Sequence, residues 1–135
     1  MGVIFDSSEI IALERNRGKI EELISGREDE AIGISVVTVA ELLHGVERAD
    51  SEARRLKRQA FVEKVIEQFP VFSFDVAAAR IYARIWASLI QRNFTVGAHD
   101  LIIAATAISL DYTVITSNRR DFEKIDGLKL EVRYY

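Results

Sequence analysis

Four polar residues stand where chemistry is easiest to build. Asp6 follows the apolar run "GVIF", and Glu41 lies inside "VVTVAELLHGV". Asp100 stands at the mouth of "GAHDLIIAATAIS", and Asn118 comes just after "TVIT". Carboxylates gathered at one point repel and raise each other's pKa unless a cation sits among them. Oxygen donors alone suit Mg²⁺, for which Mn²⁺ substitutes, with water completing an octahedron. Such an ion polarises a phosphate, acidifies bound water and stabilises a leaving oxygen, which is the chemistry of phosphodiester hydrolysis.

Each residue also has a plainer local reading. "DSSE" has the form of a capping box, with Glu9 reaching back to the start of a helix at Asp6. Asp100 suits an N-cap, because its carboxylate accepts orphan amide protons of the first turn, and capping does not exclude holding an ion. Asn118 suits a turn. Glu41 is harder to explain locally. Its neighbours on a helix face are Val37, Thr38, His44 and Gly45, so the face is otherwise largely uncharged. A buried, unpaired carboxylate is costly and tends to neutralise or find a cation. His44 completes one Glu-x-x-His pair, but no second pair exists, so His44 reads as structural.

Whether the acids meet depends on the elements that carry them. "GVIF", "AIGIS", "PVFSF", "TVIT" and "LKLEVR" read as strands. "SSEIIALERN", "GKIEELISG", "VVTVAELLHGVERA", "SEARRLKRQAFVEKVIEQF", "DVAAARIYARIWASLIQRN", the Asp100 segment and "RRDFEKI" read as helices. Strands alternating with helices predict an α/β sandwich around a mainly parallel sheet. Ligands of such sheets bind at the carboxyl ends of the strands, where the strand order reverses. Each of the four residues follows a strand or lies in the helix just after one, so this sheet edge would gather them.

Composition bounds the remaining possibilities. At 135 residues, the expectation is one domain, 1–135. Cysteine is absent, which removes disulfides and thiolate metal sites and suits a reducing compartment. Asp6 and Glu9 interrupt the N-terminal apolar stretch, unlike a secretory signal. The run Leu101 to Leu110 is too short to span a bilayer. These features predict a soluble cytoplasmic protein with no membrane association. A net charge of −3 argues against coating nucleic acid by bulk attraction, but three carboxylates at one metal site would account for it.

Together, "VIFDSSEIIAL", "VVTVAELLHGV", "GAHDLIIAATAISL" and "TVITSNRRDF" resemble the PIN-domain family, and within it the VapC-type toxins of prokaryotic toxin–antitoxin pairs. The resemblance spans essentially the whole chain. It implies a three-layer α/β/α sandwich and a metal-dependent endoribonuclease acting on structured RNA. It also implies that Asp6, Glu41 and Asp100 are the Mg²⁺ ligands. Asn118, after Thr116, matches the family's fourth polar position. Many relatives carry Asp there, so the neutral amide argues for one firmly held ion. Ser7, Thr116 and Asp121 are candidate accessory residues, Asp121 lying one helical turn further on. Family members usually form homodimers and are inhibited by a cognate VapB-type antitoxin.

Apolar surface on the first two helices and on the helix carrying Leu56, Phe61, Val65 and Phe69 is the expected antitoxin site. Arg15, Arg17, Arg80, Arg84, Arg119 and Arg120 are candidate RNA contacts. Two competing readings are a catalytically inactive PIN-like scaffold and a phosphoacceptor receiver module. The receiver would use Asp6, Asp75, Thr116 and Lys129, and it leaves Glu41 unexplained.

Overall fold

A computed structural model describes residues 2–133. Its elements follow the chain in the order β1 (Gly2–Phe5), α1 (Ser7–Arg15), α2 (Ile20–Ile24), β2 (Ala31–Ser35), α3 (Val36–Glu47) and α4 (Glu52–Gln68). Next come β3 (Val71–Phe72), α5 (Val76–Gln91), α6 (Ala98–Leu110), β4 (Thr113–Thr116), α7 (Arg119–Phe122) and β5 (Lys129–Val132). The strands form one sheet in the order β3-β2-β1-β4-β5, and every pairing is parallel.

Parallel strands are covered on both faces, so successive residues of a strand serve different layers. Val3 and Phe5 pack with Ile10, Leu13, Leu42, Val62 and Phe69, from α1, α3, α4 and the residue ending α4. Ile4 points the other way and packs with Ile85 and Leu89 of α5, Ile103 and Ala104 of α6, and Phe122 of α7. Ile115 and Val114 of β4 divide in the same manner. This is the expected three-layer sandwich. At about 1.5–3 kcal/mol for each large apolar side chain fully buried, the two cores hold the sheet rigid beneath its edge.

β3 is shorter than the predicted strand "PVFSF". Gly33 explains its close approach, since a Cβ there would stand 2.6 Å from the Pro70 carbonyl oxygen. On α4, Val65 and Phe69 are buried and Phe61 packs against the core, while Leu56 remains 57 % exposed. Most of the apolar bulk expected to await a partner is therefore ordinary core. Among the described residues no helix is long and apolar enough to cross a membrane.

Candidate active site

The chain runs from β1 to β2 and β3 on one side, then returns to place β4 on the other side of β1. The strand order thus reverses between β1 and β4, and their carboxyl ends open the crevice expected of such folds. Asp6 leaves β1 there and Ser117 and Asn118 leave β4. α3 starts directly from the end of β2, which keeps Glu41 near the same edge. α6 leads into β4, so its first turn, with Asp100, returns to that edge.

Asp6 is only 3 % exposed. Its Oδ2 accepts hydrogen bonds from Thr116 Oγ1 at 2.8 Å and from Ser8 Oγ at 2.9 Å. Those hydroxyls accept in turn from the amides of the turn after β4: Asn118 N donates to Thr116 Oγ1 at 2.9 Å and Ser117 N to Ser8 Oγ at 3.3 Å. Each hydroxyl has one proton to give, and both point to Asp6. The carboxylate is therefore oriented by the neighbouring strand end.

The capping-box reading of "DSSE" does not hold. Asp6 occupies the N-cap position of α1 without a side-chain cap hydrogen bond. Its amide donates to Ile115 O at 2.9 Å, leaving no proton for Glu9 to accept. Glu9 is fully buried instead, with Oε1 3.7 Å from Arg133 Nε. Asp100 is not a cap either. Gly97 is the N-cap of α6, and Asp100 is the third residue of the helix.

Glu41 and Asp100 are half-buried at the same edge. Burial pushes the Glu41 carboxyl up, His99 opposes this, and the charge of Asp6 adds to it. Glu41 Oε1 lies 3.8 Å from His99 Nδ1, and Oε2 accepts from Ser7 Oγ at a long 3.5 Å. The Asp100 carboxyl is pushed up to about 6, by burial first and then by Asp6, Asp121 and Glu41, with His99 opposing. Asp121 weighs on Asp100 more than Glu41 does. Asp121 on the short α7 is thus close enough for its charge to reach Asp100, and Lys124 Nζ lies 3.4 Å from its Oδ1.

Asn118 is the N-cap of α7, but its side chain makes no cap hydrogen bond. Two participants escaped the sequence reading. Ser8 rather than Ser7 binds Asp6, and "DSS" offered both. His99, adjacent to Asp100, faces Glu41, while His44 is exposed. Of the candidate arginines, Arg119 and Arg120 lie in the element beside the site, whereas Arg15 and Arg17 line a groove between α1 and α4. The receiver quartet is not assembled. Asp75 caps α5 by accepting from Ala78 N at 2.9 Å, and Lys129 starts β5, at the opposite end of the sheet, paired with Asp111 at 2.9 Å.

The donors at this edge are carboxylate oxygens, the type hard divalent cations take. Among the described residues no three histidine or acidic side chains are arranged to hold an ion as they stand. Glu41 is turned toward His99 and Ser7. The donor set nevertheless fits a cation. Asp100 faces three other acids, and that repulsion is what positive charge would relieve.

Residues 3–128 match the model of the PIN domain. The chain belongs to the PIN-domain family. As a PIN domain, it is 42 % identical over 130 residues to Ribonuclease VapC1 of Rickettsia felis, covering 96 % of this chain and 95 % of that one. It is 36 % identical over 98 residues to the tRNA(fMet)-specific endonuclease VapC of Shigella flexneri, covering 73 % and 72 %. Its fold superimposes on the DNA-bound VapBC structure from Salmonella typhimurium with a TM-score of 0.85, at 31 % identity and 98 % coverage of both chains.

Proposed function

We propose that this PIN domain, acting as a single unit over residues 1–135, is the endoribonuclease toxin of a VapBC-type pair, with Asp6, Glu41 and Asp100 as its essential acids. One observation carries the reading. Acids far apart in sequence converge at the β1/β4 switch point, where Asp6 is oriented by Thr116 and Ser8 and where Asp100 carries the charge of Asp6, Asp121 and Glu41. Clustered, unneutralised carboxylates cost stability, so such a set is retained for chemistry rather than packing. The names of the relatives support RNA as the substrate, and the Shigella flexneri relative supports a structured RNA such as transfer RNA.

Mg²⁺, or Mn²⁺ in its place, would be held by Asp6, Glu41 and Asp100 and would supply Lewis acidity and a nucleophilic water. The chain's own groups do the rest. Thr116 and Ser8 fix the direction of Asp6, so the site is preorganised along the edge of β1 and β4. His99 Nδ1 stands 3.8 Å from Glu41 Oε1 and opposes the rise that burial imposes on the Glu41 carboxyl. Asp100 would hold the ion as a carboxylate; without an ion, burial and the neighbouring acids raise its carboxyl to about 6. Arg119 and Arg120 present cations beside these acids, where an RNA backbone must approach. Asn118 contributes a neutral amide and Asp121 the charge that Asn118 lacks.

The antitoxin is proposed to lie over the groove between α1 and α4. Arg15, Arg17, Arg54, Lys57 and Arg58 rim it, with Phe61 at its floor. That combination suits a segment with both acidic and apolar residues. The homodimer is proposed to use the outer face of α5, where Val76, Trp86 and Ile90 are 67, 54 and 61 % exposed. A test of the function is cleavage of total RNA by the purified protein with Mg²⁺, with chelator, and with the product of the neighbouring small gene. Metal-dependent cleavage blocked by that product is expected. RNA left intact under every metal condition would defeat the reading.

A further inference from the structure

A cavity of about 470 Å³ opens between the α5–α6 connection and α7, lined by Asn93, Phe94, Thr95, Asn118, Arg120, Asp121 and Lys124. Asn118 and Asp121 also belong to the acid edge, so the cavity is the immediate continuation of the candidate active site. Its size falls in the range of about 300–1,000 Å³ that holds small-molecule groups. We propose that it is a subsite for one unpaired nucleotide of the RNA substrate beside the bond that is cut, its base stacked on Phe94 and its phosphate on Arg120. The inference rests on the reading of the chain as a ribonuclease.

Three observations carry it. The first is a rigid aromatic ring left in solvent. Phe94 is 42 % exposed, yet its backbone is fixed by the turn that ends α5. Phe94 N donates to Leu89 O at 2.9 Å, and Asn93 takes a left-handed φ of 58°. The Arg92 guanidinium lies 5.1 Å from the ring centroid and the Lys124 ammonium 5.9 Å. Arg92 is itself anchored to Lys124 O at 2.9 Å. A platform held this way loses little entropy when a base stacks on its exposed part.

The second observation is an uncommitted cation. Arg119 is paired with Glu123 and Lys124 with Asp121, but Arg120 is exposed and makes no ion pair among the described residues. In a chain of net charge −3, a free guanidinium beside acids that repel RNA is where a phosphate can be held. The third is the polar lining. The side chains of Asn93, Thr95 and Asn118 present donors and acceptors, which suits the edge of an unpaired base rather than an apolar ligand.

The test uses labelled single-stranded RNA hexamers of each base, with and without one abasic position, bound to Asp100→Asn protein in chelator so that the RNA stays intact. Phe94→Ala is expected to weaken binding about tenfold or more, and Phe94→Tyr to restore it to within about twofold. Arg120→Ala is expected to lower the salt dependence by about one counterion with the fold retained, since Arg120 is exposed. One abasic position should cost as much as Phe94→Ala, and in the Phe94→Ala protein it should cost nothing further.

Binding of the intact hexamers that ignores both substitutions overturns the inference, as does failure to bind any hexamer. So does Phe94→Ala weakening the antitoxin complex while leaving RNA binding untouched. Cleavage separates this from the function itself. Wild-type cleavage of total RNA with an unchanged KM in Phe94→Ala removes the subsite and leaves the nuclease. Inert wild type with Phe94-dependent hexamer binding does the reverse.

Discussion

Replacing Asp100 by Asn should stabilise the metal-free protein, and only above a defined pH. The folded chain gives up the Asp100 proton less readily than the unfolded chain, because the carboxyl stands at about 6 instead of 3.8. Ionisation therefore destabilises the fold. The penalty is absent below about pH 4, grows through pH 4–6 and is complete above it. At about 1.4 kcal/mol per pH unit the ceiling is about 3 kcal/mol. Asp100 is half-buried, so water screens part of this, leaving about 2 kcal/mol. An acid in the first turn of a helix also gains about 0.5–1 kcal/mol from the helix dipole, which Asn forfeits. The net gain is about 1–1.5 kcal/mol, or about 3–6 °C in a domain of this size. Thermal melts in chelator across pH 4–8 measure it. Asp100→Asn should melt above wild type at pH 7.5 and level with it or slightly below near pH 4. Saturating Mg²⁺ should reverse the order at neutral pH, because an ion held by the folded state alone stabilises the protein that binds it better. An Asp100→Asn protein that melts below wild type in chelator at every pH would refute the repulsion argument and leave Asp100 as an ordinary first-turn acid.

Asp6→Asn, Glu41→Gln and Asp100→Asn should each lower RNA cleavage at least about a hundredfold while circular dichroism shows the fold retained; full cleavage by any of them removes that residue from the site. Thr116→Val deletes the hydroxyl between Asn118 N and Asp6, so kcat should fall about tenfold with little change in KM, whereas Thr116→Ser should keep most of the activity. Asn118→Asp should strengthen a second Mn²⁺ site in calorimetric titration and Asp121→Asn should weaken it; two equally tight ions in Asp121→Asn would show that Asp121 stands outside the site. Trp86→Glu on the outer face of α5 should convert a dimer to a monomer in sedimentation with the fold retained by circular dichroism, and an unchanged mass would place the interface elsewhere.

The elements were largely legible in the sequence because their signals are local. "AIGIS" is β2 to the residue, and the alternation of strand and helix pointed to an α/β sandwich around a mainly parallel sheet, to which the family resemblance added the three layers. The positions of Asp6, Glu41, Asp100 and Asn118 at the carboxyl edge followed from the same alternation, since a parallel sheet brings every strand end to one side. What each carboxylate touches was not legible. "DSSE" has the spelling of a capping box, yet Asp6 turns to Thr116, 110 residues away, and Glu9 goes to Arg133. A local pattern states which bonds a side chain can make, and burial against distant strands decides which bond wins. The same holds for Asp121, whose nearness to Asp100 depends on how α7 is seated by the buried Phe122 and Ile125. The outward apolar face of α5 also belongs to the tertiary structure. Its sequence is amphipathic with a wide apolar arc, and only packing against α6 decided that Ile85 and Leu89 face the core while Trp86 and Ile90 face solvent.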